Sequence, residues 1–313
     1  MPDPDLVRRF AADLEALTGP SGRIGIAVSG GPDSLALLLL AAAARPDTIE
    51  AATVDHGLRP ESAGEARFVA GICATRGIPH AILTPEAPIS GNLQSAARAA
   101  RYALLESWRA ARGLDWVLTA HHADDQAETL LMRLNRGAGI AGLSGVRAAN
   151  QRVARPLLGW RRAALGAIVD AAGLTAIDDA SNADPRFDRA RLRARLAEAD
   201  WIDPVAMAHS ARVLADADRA LDWSTARLWD DRARSEAETC VVDIAGLPGE
   251  LARRLVLRAL RQIAPDAAPR GEEVARFIAA LEAGESATLA GVKARGSGDR
   301  WRFAAAPPRR SGR

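Results

Sequence analysis

Residues 24–35 read Ile24-Gly25-Ile26-Ala27-Val28-Ser29-Gly30-Gly31-Pro32-Asp33-Ser34-Leu35, and the apolar stretch opened by Leu35 continues to Ala44. A glycine turn here joins the end of a β-branched strand to the N-terminus of an apolar helix, and such a junction binds anions. The glycines let backbone N–H groups approach phosphate oxygens, Ser29 and Ser34 add hydroxyl donors, and the helix dipole adds positive potential. The turn has neither the Gly-Lys-Ser/Thr ending of a Walker A loop nor a G-x-G-x-x-G pattern. Asp33 is out of place beside phosphates unless a cation lies between, which makes it a candidate Mg²⁺ ligand; the alternative is a plain acidic residue in a first helical turn.

Around this junction, short β-branched runs alternate with helical patterns, as in a parallel sheet covered by helices. Strands are expected at residues 23–28, 49–55, 80–83 and 116–120. A fifth extended piece is expected near 153–158, where Pro156 favours an edge position. Between them Phe68, Val69, Ile72 and Cys73, and then Leu93, Ala97, Ala100, Leu104 and Trp108, recur at helical spacing. The fold expected is α/β, a doubly wound parallel five-stranded sheet with helices on both faces. Beyond Pro204 a long helical pattern places Met207, Leu214, Leu221 and Leu228 seven apart. Helices at 247–263 and 271–281 follow, then strands at 287–295 and 300–304 with a turn at Gly296-Ser297-Gly298-Asp299. The expected division is 1–205 for the nucleotide-binding domain and 206–313 for a linker helix and a smaller, mainly helical domain.

The 313 residues are 48% hydrophobic and 26% charged, an ordinary globular balance that leaves room for two domains. No apolar run is long enough for a bilayer, and the N-terminus lacks a signal-peptide pattern, so no membrane association and a cytoplasmic location are expected. Cys73 and Cys240 form neither a C-x-x-C pair nor a disulfide framework. Net charge is +2, yet Lys293 is the single lysine, so the positive charge is arginine and can serve nucleic acid where it clusters. Two clusters are visible: Arg186, Arg189, Arg191, Arg193 and Arg195, and the helical face of Arg254, Arg258 and Arg261. For each, a solvated or internally paired face is the competing reading.

The second strand ends in Val54-Asp55-His56-Gly57-Leu58-Arg59, at the switch region where doubly wound sheets bind nucleotides. The fourth runs into His121-His122-Ala123-Asp124-Asp125-Gln126-Ala127-Glu128-Thr129, seven polar residues in nine. With a helix starting near Asp124, Glu128 falls one turn beyond both aspartates, giving a carboxylate pair on one side that suits Mg²⁺ or an amine. Helix capping explains part of this pattern but not His121, His122 and Gln126. No His-Glu-x-x-His occurs, so zinc is not expected.

Taken in order, S-G-G-P-D-S, V-D-H-G-L-R, A-R-x-x-R-Y (residues 97–102) and H-H-x-D-D-Q-x-E-T resemble the motif set of the tRNA(Ile)-lysidine synthases, a branch of the PP-loop enzymes that split ATP into AMP and pyrophosphate. The resemblance covers residues 20 to about 200. It extends to Asp179-Ala180-Ser181-Asn182-Ala183-Asp184 and to 187–193, where Phe187 replaces a usual tyrosine and Arg189-Ala190 a usual Arg-Asn. It implies an ATP-dependent ligase that joins lysine to the 2-position of the wobble cytidine of a minor isoleucine tRNA with a CAU anticodon. Its substrates would be ATP with Mg²⁺ and L-lysine, and a homodimer stays open. It further implies that Ser29, Gly30, Gly31, Pro32, Asp33, Ser34, Asp55, His56 and His121 hold ATP. Asp124, Asp125 and Glu128 would hold lysine, with Asp33, Asp125 and Glu128 catalytic. Arg98, Arg101, Arg189, Arg193, Arg195, Arg254 and Arg258 would meet tRNA.

Three rivals share features with this reading. A sulfur-inserting tRNA thiolase uses the same loop, but its usual form needs cysteine pairs. A glutamine-dependent amidotransferase would need an ammonia-producing partner. A tRNA- or nucleotide-binding module would bind without releasing pyrophosphate.

Overall fold

The computed structural model describes residues 1–87, 93–177, 186, 188–236 and 238–307. The motif expected at Asp179–Asp184 and the Phe187 position lie outside the described residues. The chain divides into two compact units, one of residues 1–136 and 144–212, the other of 137–143 and 213–313.

In the first unit the order is α1 (Pro4–Thr18), β1 (Ile24–Ala27), α2 (Pro32–Ala44), β2 (Ile49–Val54), α3 (Ser62–Thr75), β3 (His80–Leu83), α4 (Leu93–Arg112), β4 (Trp116–Leu118) and α5 (Ala123–Leu134). After α6 (Ile140–Leu143), which belongs to the second unit, come β5 (Ala149–Asn150), β6 (Val153–Ala154), α7 (Arg162–Ala171) and α8 (Asp188–Ala197). The sheet order is β3-β2-β1-β4-β6-β5, parallel throughout except for β5. The expected five-stranded sheet therefore has a sixth strand, and β6 lies inside it rather than at the edge. Two-residue strands joined by a hairpin carry too little alternation to be read from sequence, and Pro156 falls just past β6.

The sheet's two faces follow from the period of two along its strands. Ile24, Ile26 and Val28 of β1 and its end, with Ile49 and Ala51 of β2, enter the main core with α1, α2, α3 and α7. The alternate residues Ala27 and Ala52 meet Leu105 and Trp108 of α4 on the other face. Gly25 lets α4 come this close: a Cβ there would strike the Trp108 ring and Leu114. Helix α2 is buried from Ser34 through Ala41, as expected of a helix apolar all round that lies under neighbouring helices. Because β2 and β4 flank β1, the chain reverses direction of winding between β1 and β4. Loops at the carboxyl ends of these strands share the crevice where open α/β sheets bind ligands.

The second unit holds the greater part of α9 (Pro204–Arg232), then β7 (Ala233–Glu236), β8 (Thr239–Asp243), α10 (Gly249–Ile263), α11 (Gly271–Glu282), β9 (Ser286–Leu289), β10 (Val292–Ser297) and β11 (Arg300–Ala305). The strands form an antiparallel sheet in the order β7-β8-β11-β10-β9, with Cys240, Val242, Val292, Ala294, Trp301 and Phe303 packed on Leu255, Val256, Leu260 and Phe277. It thus carries more sheet than the two strands expected. No described helix is long and apolar enough to cross a membrane.

Candidate active site

The loop after β1 is closed by its own hydroxyl. Ser34 Oγ accepts from the Ser29 N–H (3.1 Å), shares a hydrogen bond with Ser29 Oγ (3.2 Å), and donates to the Gly31 carbonyl (2.9 Å). Gly30 has φ +88°, and a Cβ there would collide with Ile177, whose N–H donates to the Gly30 carbonyl at 2.9 Å. Only glycine satisfies both the left-handed backbone and that contact. Gly31 caps α2 without a side-chain hydrogen bond and Pro32 opens it, so the first-turn N–H groups of a buried helix face the loop.

The loop after β4 meets this one through a histidine. His122 is 2% exposed and caps α5 in a reciprocal box with Asp125. Its Nδ1 accepts from the Asp125 N–H (3.4 Å), which places the ring proton on Nε2, 3.5 Å from Asp33 Oδ2 and 3.4 Å from Asp125 Oδ2. Burial works against charge on this ring, but Asp33, Asp125 and Asp124 together outweigh it and hold its pKa above the usual histidine value. Asp33 Oδ1 is buried with no hydrogen-bond partner. That orphaned oxygen fits a Mg²⁺ ion, which takes one or two carboxylates along with substrate phosphates. Among the described residues no group of three or more acidic, histidine or cysteine side chains stands ready as an all-protein metal cage.

The three carboxylates of α5 have separate tasks. Asp124 turns to α7, accepting from the Arg162 N–H (2.8 Å) and Arg161 Nε (3.3 Å), so it caps that helix. Asp125 and Glu128 turn to α8. Arg189 donates to Glu128 Oε2 (2.7 Å) and Asp125 Oδ1 (2.9 Å), and Arg193 grips Glu128 at 2.6 and 3.0 Å. Glu128 is 2% exposed; desolvation raises its pKa, yet the two guanidiniums lower it further, and the carboxylate is ionised. Gln126, counted from sequence among the unexplained polar residues, instead holds the backbone of Val146 with both amide atoms (2.8 and 2.6 Å).

The remaining expected residues sort by position. Asp55 satisfies its own turn, accepting from Gly57 N–H (2.9 Å) and Ser62 Oγ (2.6 Å). His56 is half-buried with an unpartnered Nδ1, and burial followed by the Arg101 charge lowers its pKa. His121 shares a hydrogen bond with Thr119 Oγ1 (3.1 Å); burial, then Arg155, Arg101, Arg98 and Arg189, drive its pKa down to about 3. Arg195 is exposed beside Glu198 (3.9 Å).

Arg258, in the second unit, stacks over Trp229 at 4.8 Å. Arg254, expected at the tRNA, is 8% exposed and bonded to Asp218 (2.5 Å), Glu250 (2.8 Å) and Asp222 inside the unit. Helix-face spacing could not reveal this, because Asp218 and Asp222 come from α9.

Cavity size does not find the site. A cavity of about 460 Å³ lies against Arg23, Glu50 and Arg112, at the amino ends of the strands, and one of about 420 Å³ lies between α5 and α8 at Met132, Asn135 and Leu192. The loops and their charges mark the carboxyl-end crevice instead.

Residues 3–200 match the PP-loop domain family. The chain is 49% identical over 312 residues to a tRNA(Ile)-lysidine synthase of Novosphingobium aromaticivorans, covering 97% of this chain and 95% of that one. It is 47% identical to that of Zymomonas mobilis subsp. mobilis, over 93% and 90% of the two chains. The chain belongs to the tRNA(Ile)-lysidine synthase family. Like other lysidine synthases built on the PP-loop domain, it is an ATP-dependent ligase. Among solved structures, the U34-tRNA thiolase NcsA from Methanococcus maripaludis aligns with a TM-score of 0.53 at 14% identity, over 66% of this chain and 77% of that one, which shows a shared fold.

Proposed function

We propose that this lysidine synthase family member joins lysine to the 2-position of the wobble cytidine of a CAU-anticodon isoleucine tRNA through an adenylated cytidine. The observation that carries the reading is the joining of the glycine loop to Asp125 and the buried Glu128 across neighbouring strands, with His122 between Asp33 and Asp125.

The cytidine 2-oxygen is a poor leaving group. Its attack on the α-phosphorus of ATP forms a C–O–P linkage and releases pyrophosphate, the loop N–H groups taking up the developing charge. The lysine ε-amine then bonds to C2, AMP leaves with the oxygen, and the amine loses its proton. Asp33 would hold Mg²⁺, which supplies charge neutralisation at the phosphates. Asp125 and Glu128 would receive the lysine ammonium and help deprotonate it.

The oxygens assigned to the ammonium accept from Arg189 and Arg193 in this structure, so lysine enters by exchanging with guanidinium. Asp124, engaged with α7, leaves Asp125 as the aspartate that faces the amine. Arg98, Arg101, Arg195 and Arg258 are assigned to tRNA phosphates.

Neither cysteine suits sulfur transfer. Cys73 is buried and desolvation pushes its thiol up to about 11; Cys240 is likewise buried and raised. The test incubates the protein with ATP, labelled lysine and CAU isoleucine tRNA. Lysine-dependent tRNA labelling with release of AMP and pyrophosphate is expected, and ATP hydrolysis without labelling would overturn the reading.

A further inference from the structure

Among the described residues, Arg155, Arg101 and Arg98 of the first unit act on His121 and have no carboxylate partner. Arg155 follows β6, beside Thr119 at the end of β4, and is 6% exposed. Its Nη1 donates to the Arg147 carbonyl (2.9 Å) and its Nη2 to Tyr102 Oη (3.4 Å), while its buried Nε has no partner. Arg98 lies over the Tyr102 ring at 5.1 Å, and Arg101 is half-buried on the same stretch of α4. Among the described residues no carboxylate lies within ion-pair distance of Arg98, Arg101 or Arg155. The charges felt by His121 are all positive, and its ring stays neutral beside them. Asp55, next to His56, is turned to Gly57 and Ser62.

A buried guanidinium that lacks an anion is costly, and proteins almost always pair it. Here the most buried of the three cations keeps an unsatisfied donor, while Arg101 is half-buried and Arg98 exposed. A cluster of donors with no carboxylate among the described residues matches a phosphate, to which guanidinium binds with directed, charge-assisted hydrogen bonds. The ATP phosphates already have the loop after β1. We infer that Arg155, with Arg98 and Arg101, forms a separate cradle for an RNA backbone phosphate flanking the wobble cytidine, with Tyr102 as the strut that spaces Arg98 from Arg155. The inference rests on the tRNA substrate proposed above and adds to it Arg155, a residue whose neighbours in sequence give no hint of a ligand.

The test uses the full chain and the anticodon stem-loop of CAU isoleucine tRNA, unmodified or carrying a neutral methylphosphonate at either phosphate beside the wobble cytidine. Wild-type protein is expected to lose about tenfold in affinity for one of the two methylphosphonate RNAs. Arg155→Gln should bind the unmodified RNA about tenfold more weakly, be indifferent to the methylphosphonate, and show a salt dependence shallower by about one unit of slope, while ATP-analogue binding is unchanged. Arg155→Lys should recover part of the affinity and the slope. Equal wild-type affinity for all three RNAs overturns the cradle whether or not the variants fold. A loss of ATP binding in Arg155→Gln with RNA binding intact overturns it too, by giving the cradle to the nucleotide. If wild-type protein makes lysidine yet ignores the methylphosphonates, only this inference falls; if it makes no lysidine, the parent reading falls with it.

Discussion

At the residue scale, neighbouring side chains of one type carry opposite tasks because their surroundings differ. His121 and His122 are adjacent, yet carboxylates raise the pKa of one, while burial and then guanidiniums lower that of the other to about 3. The depressed group has a defined effect on stability. Between pH 6.5 and about 3 the unfolded chain binds a proton at residue 121 that the folded chain refuses, so this residue's contribution to stability is lost as pH falls through that window. His121→Gln should flatten the acid limb of stability against pH by up to one proton, about 1.4 kcal/mol per pH unit, read by urea unfolding at a series of pH values. An unchanged slope would show that His121 titrates normally. The carboxylates divide in the same manner. Asp33→Ala should reduce RNA-dependent pyrophosphate release by about two orders of magnitude or more. Glu128→Gln should leave pyrophosphate release and cut lysidine formation by about 10² or more. Parallel loss of both steps in Glu128→Gln would remove its assignment to the amine.

At the element scale, the junction of β1 and α2 was legible because three signals agree there: a β-branched run, glycines where N–H groups must be exposed, and an apolar helix. The carboxylate helix α5 was legible for the density of polar residues at a strand end. Less was visible where elements are short or where partners are distant in sequence. Strands β5 and β6 have two residues each, and β7 begins Ala233-Arg234-Ser235, which has no apolar alternation to read. Arg155 beside Pro156 looked like part of an extended edge. The pairing of Arg189 and Arg193 with α5 spans about sixty residues, beyond any local pattern. The loop itself offers a sharp check. Gly30→Ala places a side chain in a left-handed conformation and against Ile177, which should cost about 1–3 kcal/mol. Thermal melting together with ATP titration should show both lower stability and weaker ATP binding, and a neutral Gly30→Ala would mean the loop is not held in this form.

At the scale of the whole molecule, each unit has a core of its own, and the second also buries a charge. Arg254 is held by Asp218, itself 2% exposed, with Glu250 and Asp222 beside it, so removing Arg254 takes the guanidinium from a buried carboxylate. Arg254→Met should destabilise the protein by about 3 kcal/mol, and Arg254→Met combined with Asp218→Leu should recover most of that, as chemical denaturation would measure. Additive losses in the double variant would mean the two charges act independently. The two units are also interleaved in sequence: residues 137–143, with α6, group with 213–313 although they interrupt the unit that carries the parallel sheet. On a ribosome that short segment emerges long before the rest of its unit. A second unit made of 213–313 alone therefore lacks its early segment. Evolution or engineering that exchanges the C-terminal half must exchange this early segment with it.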